Sequence, residues 1–147
     1  MILVQDLMTS VVETLRIGDS LDLAAHLFKA GRLRHLPVVD GEEHLVGLVT
    51  HRRILSAWVS HGNPGRERPG AVAAEVPVET LMEQNVLTVT PDTSAALAAA
   101  LIESSRFGCL PVVDRGKLVG IITEADFVRF ARIHLEAEAE ANPPPGN

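Results

Sequence analysis

Apolar residues recur at helical spacing in two stretches of the chain, and two short β-branched runs follow each stretch. Leu23, Leu27 and Phe28 stand at i, i+4 and i+5 within Leu21–Ala30, as do Leu97, Leu101 and Ile102 within Ala95–Ser104. That spacing lines up one face of a helix. Ser20 and Ser94 stand just before these stretches, where a hydroxyl accepts from a free backbone N–H of the first turn. Ahead of each helix lies a β-prone run, Glu13-Thr14-Leu15 or Leu87-Thr88-Val89, closed by a turn at Gly18-Asp19 or Pro91-Asp92. Behind each come two more, Leu36–Val39 with Leu45–Val49 and Leu110–Val113 with Leu118–Ile122, each pair joined by a turn of three to five residues. The second run ends at Thr50 or Thr123, and a further helix is predicted over Arg52–Val59 or Ala125–His134. The predicted unit is β-α-β-β-α, preceded by a short helical turn.

The unit is duplicated. Leu7-Met8 returns as Leu81-Met82, and Leu36-Pro37-Val38-Val39-Asp40 returns as Leu110-Pro111-Val112-Val113-Asp114, both at an offset of 74. Leu45-Val46-Gly47 returns as Leu118-Val119-Gly120 at an offset of 73, so one residue is lost at the Gly41-Glu42-Glu43-His44 turn. Residues 7–40 and 81–114 share 15 identities in 34 positions, and residues 45–55 and 118–128 share 4 in 11. Such self-similarity decides the architecture before any single motif does. The expected division is a first repeat over 1–60, a linker over 61–76, a second repeat over 77–134 and a tail over 135–147. The Gly/Pro-rich run of residues 60–70 opens this linker at the end of the first repeat. In the tail, Glu and Ala alternate from Glu136 to Ala141 before Pro143-Pro144-Pro145, which predicts a helical extension that frays.

Composition removes several functions. The 147 residues are 46% hydrophobic, enough for a core, but only 3% aromatic with no Tyr, which argues against a base-stacking surface. Thirteen Lys and Arg against nineteen Asp and Glu leave a net charge of -6, so neither nucleic acid nor a membrane surface is an expected partner. Cys109 is the only cysteine, which excludes an intramolecular disulfide and an all-cysteine zinc site. No histidine or carboxylate cluster has metal-ligand spacing, so no metal is expected. The longest apolar run, Ala95–Ile102, is too short for a membrane span, and the first residues lack a basic signal-peptide region. A cytoplasmic location is expected.

Two β-α-β-β-α units of this length, each carrying Leu-Pro-Val-Val-Asp and then Gly-x-x-Thr, resemble a tandem pair of CBS (cystathionine-β-synthase-type) domains, the Bateman module. The resemblance covers residues 1–134. It implies an α/β (α+β) fold whose two repeats pack sheet to sheet about a pseudo-twofold axis. It also implies two clefts between the repeats where adenosine-containing ligands sit, and pairing of whole modules into a homodimer.

Gly120-Ile121-Ile122-Thr123-Glu124-Ala125-Asp126 is the stretch where chemistry is expected. A carboxylate in the first turn of a helix accepts from two vicinal hydroxyls, the geometry of a ribose diol, and the helix N-terminus favours an anion. The resemblance implies ribose recognition by this Gly-x-x-Thr-x-x-Asp pattern, through Thr123 and Asp126. Local chemistry offers another reading, a capping box in which Asp126 reaches back to the Thr123 N–H. The two roles coexist for Thr123 and compete for Asp126. The resemblance further implies partners from the first repeat: Ser10, Val11 and Val12 beside the base, and Leu33, Arg34 and His35 as the base and phosphate loop. Arg34 offers a planar fork of donors, and His35 donates when protonated, which predicts tighter binding below pH ~6.5. A solvated strand entry is the alternative for this pair.

In the first repeat the same pattern reads Thr50-His51-Arg52-Arg53, with Arg53 at the carboxylate position. A guanidinium has no acceptor, and it opposes the helix dipole. The clefts are therefore expected to be unequal, with a degenerate second one at Thr50, Arg53, Gly108 and Cys109. There Arg53 either meets a ligand phosphate or pairs with an acid. Cys109 reads as a small core residue, and Trp58 as packing beside the linker.

Two functions follow as expectations. One is a regulatory sensor whose adenine nucleotide or S-adenosylmethionine ligand bridges the repeats and modulates an effector protein. The other is a ligand-free homodimerisation or interaction module. No cofactor is obligatory in either. No nucleophile–base arrangement, carboxylate pair or Walker-type loop is present, so no catalysis is expected.

Overall fold

The computed structural model describes residues 1–31, 33–61 and 76–146, the side chains of 58–61 excepted. The expectations for the Gly/Pro-rich linker and for Trp58 lie outside the described residues. Along the chain run a helical turn α1 (Val4–Leu7), strand β1 (Leu15–Arg16), helix α2 (Leu21–Gly31), strands β2 (His35–Val39) and β3 (Leu45–Thr50), and helix α3 (His51–His61). A 3-10 turn (Val78–Thr80) opens the second half, followed by α4 (Ala95–Ser104), β4 (Cys109–Asp114), β5 (Lys117–Thr123) and α5 (Glu124–Ala141). The serine caps form: Ser20 Oγ accepts the Leu23 N–H at 3.2 Å, and Ser94 Oγ accepts the Leu97 N–H at 3.1 Å. Helix α5 continues through the Glu/Ala stretch to Ala141 and is capped by Asn142, the residue before Pro143, where the proline ring disfavours helical geometry.

Strand β1 pairs parallel with β2 and β2 antiparallel with β3. In the second half β4 pairs antiparallel with β5, and the equivalent of β1 shrinks to a single parallel bridge, Val89 to Val112. The cause is Pro91. Its counterpart Ile17 donates its N–H to the Val39 carbonyl at 3.2 Å, and a proline has no N–H to donate.

The register gives the symmetry. Residues before the 41–44 turn map across by 74, and those from Glu43 onward map by 73. The Thr9–Ile121 bridge then maps onto Glu83–Leu48, and Leu3–Ser94 maps onto Pro77–Ser20. The His44–Lys117 bridge maps onto itself. It is flanked by Leu45 N–H to the Gly116 carbonyl at 3.3 Å and Leu118 N–H to the Glu43 carbonyl at 3.1 Å. The pseudo-twofold axis passes between His44 and Lys117.

The segment leading into each repeat packs on the other one. Val4 is fully buried in the second core with Val89, Ala98, Leu110 and Ile122. Val78 is fully buried in the first core with Leu15, Leu21, Phe28 and Leu36. Full burial of a valine contributes about 1.5–3 kcal/mol, here to a repeat the residue does not precede. The conserved spacing of Leu-Met and Gly in the duplication has its reason at this crossing. A Cβ on Gly120 would lie 2.6 Å from Met8 Sδ and 3.0 Å from the Thr9 carbonyl. One on Gly47 would lie 2.5 Å from Met82 Sδ and 2.9 Å from the Glu83 carbonyl. Only glycine lets the crossing strands approach this closely.

Candidate functional site

Each strand-to-helix junction is tied to the loop that enters the sheet beside it. The His51 N–H donates to the Arg34 carbonyl at 2.9 Å, and the equivalent Glu124 N–H donates to the Gly108 carbonyl at 3.1 Å. Gly108 takes a φ of +67°, which glycine adopts without strain. These ties place the first turns of α3 and α5, each preceded by its threonine, around two cavities between the repeats. Arg34, His35, Arg106 and Phe107 line both.

The larger cavity, about 990 Å³, adds Leu33, Gly108, Thr123, Glu124, Arg129 and Arg132 to that shared wall. Leu33, Arg34 and His35 thus meet Thr123 across one space. Ser10, Val11 and Val12 line neither this cavity nor the smaller one. They leave the β5 edge after the Thr9–Ile121 bridge, and Val11 is 92% exposed.

Asp126 is 5% exposed and does not line the larger cavity. The capping box is formed: Oδ2 accepts the Thr123 N–H at 2.8 Å and the Thr123 hydroxyl at 3.3 Å. Oδ1 accepts Arg129 Nη1 at 3.2 Å. Asp126 instead lines a space of about 410 Å³ with Ile2, Asp6 and Phe130. Arg129 lines that space and the larger cavity alike, so its exposed side chain stands between the carboxylate and the cavity.

Burial pushes the His35 imidazole below its ordinary value of 6.5, with the Phe107 backbone opposing; Arg34 depresses it further and Glu124 raises it. His35 is therefore mostly neutral at pH 7. Arg106 lies over the Phe107 ring, 5.6 Å from its centroid, a cation–π contact that orients the guanidinium.

The smaller cavity, about 450 Å³, holds Thr50, His51, Arg52, Arg53, Ser56 and Glu83 beside the shared wall. The Arg53 N–H donates to Thr50 Oγ1 at 3.2 Å, so the capping hydroxyl is kept while the box carboxylate is absent. The His51 ring packs on Phe28 with centroids 5.4 Å apart. Gly108 lines the larger cavity rather than this one. Cys109 lines neither: it pairs with Thr123 across the sheet, buried, and burial pushes its thiol up to about 12, which leaves it no thiolate character at neutral pH.

Sequence reasoning missed Arg106, Arg129 and Arg132. Arg106 had a signal, since it is the 74-residue counterpart of Arg32 and one of the identities of the duplication. Arg129 and Arg132 follow Asp126 at three-residue steps, which keeps them near one helix face. Among the described residues, no group of three or more His, Cys, Asp or Glu is placed to hold a metal, and no helix is long and apolar enough to cross a membrane.

The family model for the CBS domain matches residues 4–60 and 78–132. The chain belongs to the CBS domain family. It is 37% identical to AcuB from Vibrio cholerae, a protein assigned to acetoin utilization, with a TM-score of 0.81, covering 97% of this chain and 99% of that one. The CBS-pair protein CBSX2 from Arabidopsis thaliana, crystallised in complex with AMP, is 29% identical with a TM-score of 0.75, over 92% of this chain and 99% of that one. The CBS domain pair of protein MJ0100, in complex with 5'-methylthioadenosine and S-adenosyl-L-methionine, is 26% identical with a TM-score of 0.75, over 90% and 97% of the two chains. The homoserine O-acetyltransferase of Methanococcoides burtonii is 38% identical over 129 residues, which are 86% of this chain but 24% of that enzyme. The CBS pair thus spans about a quarter of that enzyme's length.

Proposed function

We propose that this CBS pair is a non-catalytic regulatory module that binds a phosphorylated, adenosine-containing ligand in the larger cavity and passes its occupancy to an effector protein. The observation that carries this reading is the meeting of Arg34 and His35 from one repeat with Arg106 and Thr123 from the other around one space, in a chain of net charge -6. A ligand gripped from both sides biases their relative arrangement by its difference in affinity for the two states. The AMP complex of CBSX2 supports an adenosine ligand in this fold. The arginines favour phosphate over the positive sulfonium of S-adenosylmethionine. The phosphate takes Arg34 and Arg106, with Thr123 at the ribose end. The ribose diol reaches Asp126 when Arg129 releases Oδ1.

The test is a thermal-shift and calorimetric series with AMP, ADP, ATP, S-adenosylmethionine and NAD. A ligand at about 100 times its Kd adds roughly 2.7 kcal/mol, a shift of several degrees. Thr123→Val and Arg34→Ala remove the AMP shift. If no adenosyl compound moves the Tm, the sensing reading fails. The second reading, an interaction module, is favoured by exposed apolar residues along α5, Val128 at 68% and Leu135 at 63%. It calls for a homodimer in solution, and this surface serves the sensor as well.

A further inference from the structure

We propose that the smaller cavity is a site for a chain of two or more phosphates bound without a sugar contact. Arg53 stands where the second repeat has its carboxylate, and a guanidinium cannot accept from a ribose diol. Arg34, Arg52, Arg53 and Arg106 converge on this space against the single carboxylate of Glu83. Among the described residues, none of the four forms an ion pair, with Glu83 or any other acid. Acids outnumber bases in this chain, so partners were available, yet these guanidinia are left to repel one another around an open cavity. A polyanion relieves that repulsion, and several planar donor forks match successive phosphates. The first turn of α3 carries no acid and adds its dipole to the same field.

Arg34, His35 and Arg106 face both cavities, so this site draws on the groups that the proposed nucleotide site uses. Occupancy of the two is antagonistic, and the effect is reciprocal. This second part rests on the nucleotide reading; the polyphosphate site does not.

Calorimetry of the full chain with inorganic tripolyphosphate, pyrophosphate, citrate, AMP and ATP tests it. Tripolyphosphate is expected to bind once per chain, and citrate at least tenfold more weakly. The exposed pair Arg52→Ala/Arg53→Ala weakens tripolyphosphate by at least tenfold and leaves AMP within about twofold; Glu83→Gln tightens it several-fold. ATP weakened by the double substitution identifies a nucleoside triphosphate tail as the source of the phosphates, and inorganic binding alone identifies a free polyphosphate. Three results overturn the proposal: neither tripolyphosphate nor ATP responds to the double substitution, citrate binds as well, or nothing binds at millimolar concentration. AMP binding with no polyphosphate response overturns this inference alone. Polyphosphate binding without AMP binding overturns the nucleotide reading alone.

Discussion

The junctions Thr50-His51-Arg52-Arg53 and Thr123-Glu124-Ala125-Asp126 occupy equivalent places with opposite charge. Both keep the threonine before the helix and the backbone tie to the neighbouring loop, Arg34 or Gly108. Only one closes a capping box. The fold therefore requires the threonine and the hydrogen-bonded loop but not the acid three residues on. That position is free to set what each cavity attracts, and the two repeats have used it in opposite senses.

The largest effect belongs to what the halves share. Gly120→Ala and Gly47→Ala each drive a methyl into a methionine and a backbone carbonyl, and each is expected to destabilise by about 2–3 kcal/mol in urea unfolding. A much smaller loss at one of them would break the equivalence. Asp126→Ala removes the capping box and leaves the part-buried Thr123 N–H without its acceptor, a loss of about 1–2 kcal/mol. Arg53→Ala is expected to be neutral or slightly stabilising, since it removes a cation from a helix N-terminus. Equal losses at the two sites would contradict the contrast drawn here.

The pH dependence comes next. The folded His35 pKa lies below 6.5, so the unfolded chain binds more protons in the window just below that value. Stability contributed by His35 therefore falls as pH falls through that window. Binding runs the other way: a phosphate beside the ring favours its protonated form, so AMP affinity rises on acidification, by at most tenfold per pH unit for one proton. His35→Gln flattens both profiles, which calorimetry at stepped pH reads directly. Conversion of one junction into the other sharpens the comparison. Arg53→Asp restores Thr-x-x-Asp in the first repeat and is expected to stabilise by about 0.5–1 kcal/mol, while abolishing tripolyphosphate binding.

The repeat, its helices and its strand pairs were legible because periodicity and duplication act locally and twice. The crossing of the leading segments was not. Leu7-Met8 and Leu81-Met82 advertise their equivalence, but nothing in either says which glycine, Gly120 or Gly47, it will cover. The Arg34–His35 loop was found because it leads into a recognisable strand. Arg106 lies outside any strand or helix, and only its match to Arg32 in the duplication marks it. For Asp126 the sequence is ambiguous in principle, since a box and a sugar contact ask for the same residue at the same spacing. Only the hydrogen bond from the Thr123 N–H to the Asp126 carboxylate shows that the box is made.

The reciprocal seating of Val4 and Val78 has a consequence for ancestry. A lone half would carry a leader with no home and a hollow that its own leader does not fill. Two identical copies would satisfy each other by trading leaders, giving a symmetric pair from a gene half as long. Fusion of such a pair would preserve the trade while freeing each copy to drift, and Arg53 and Asp126 mark how far the drift has gone.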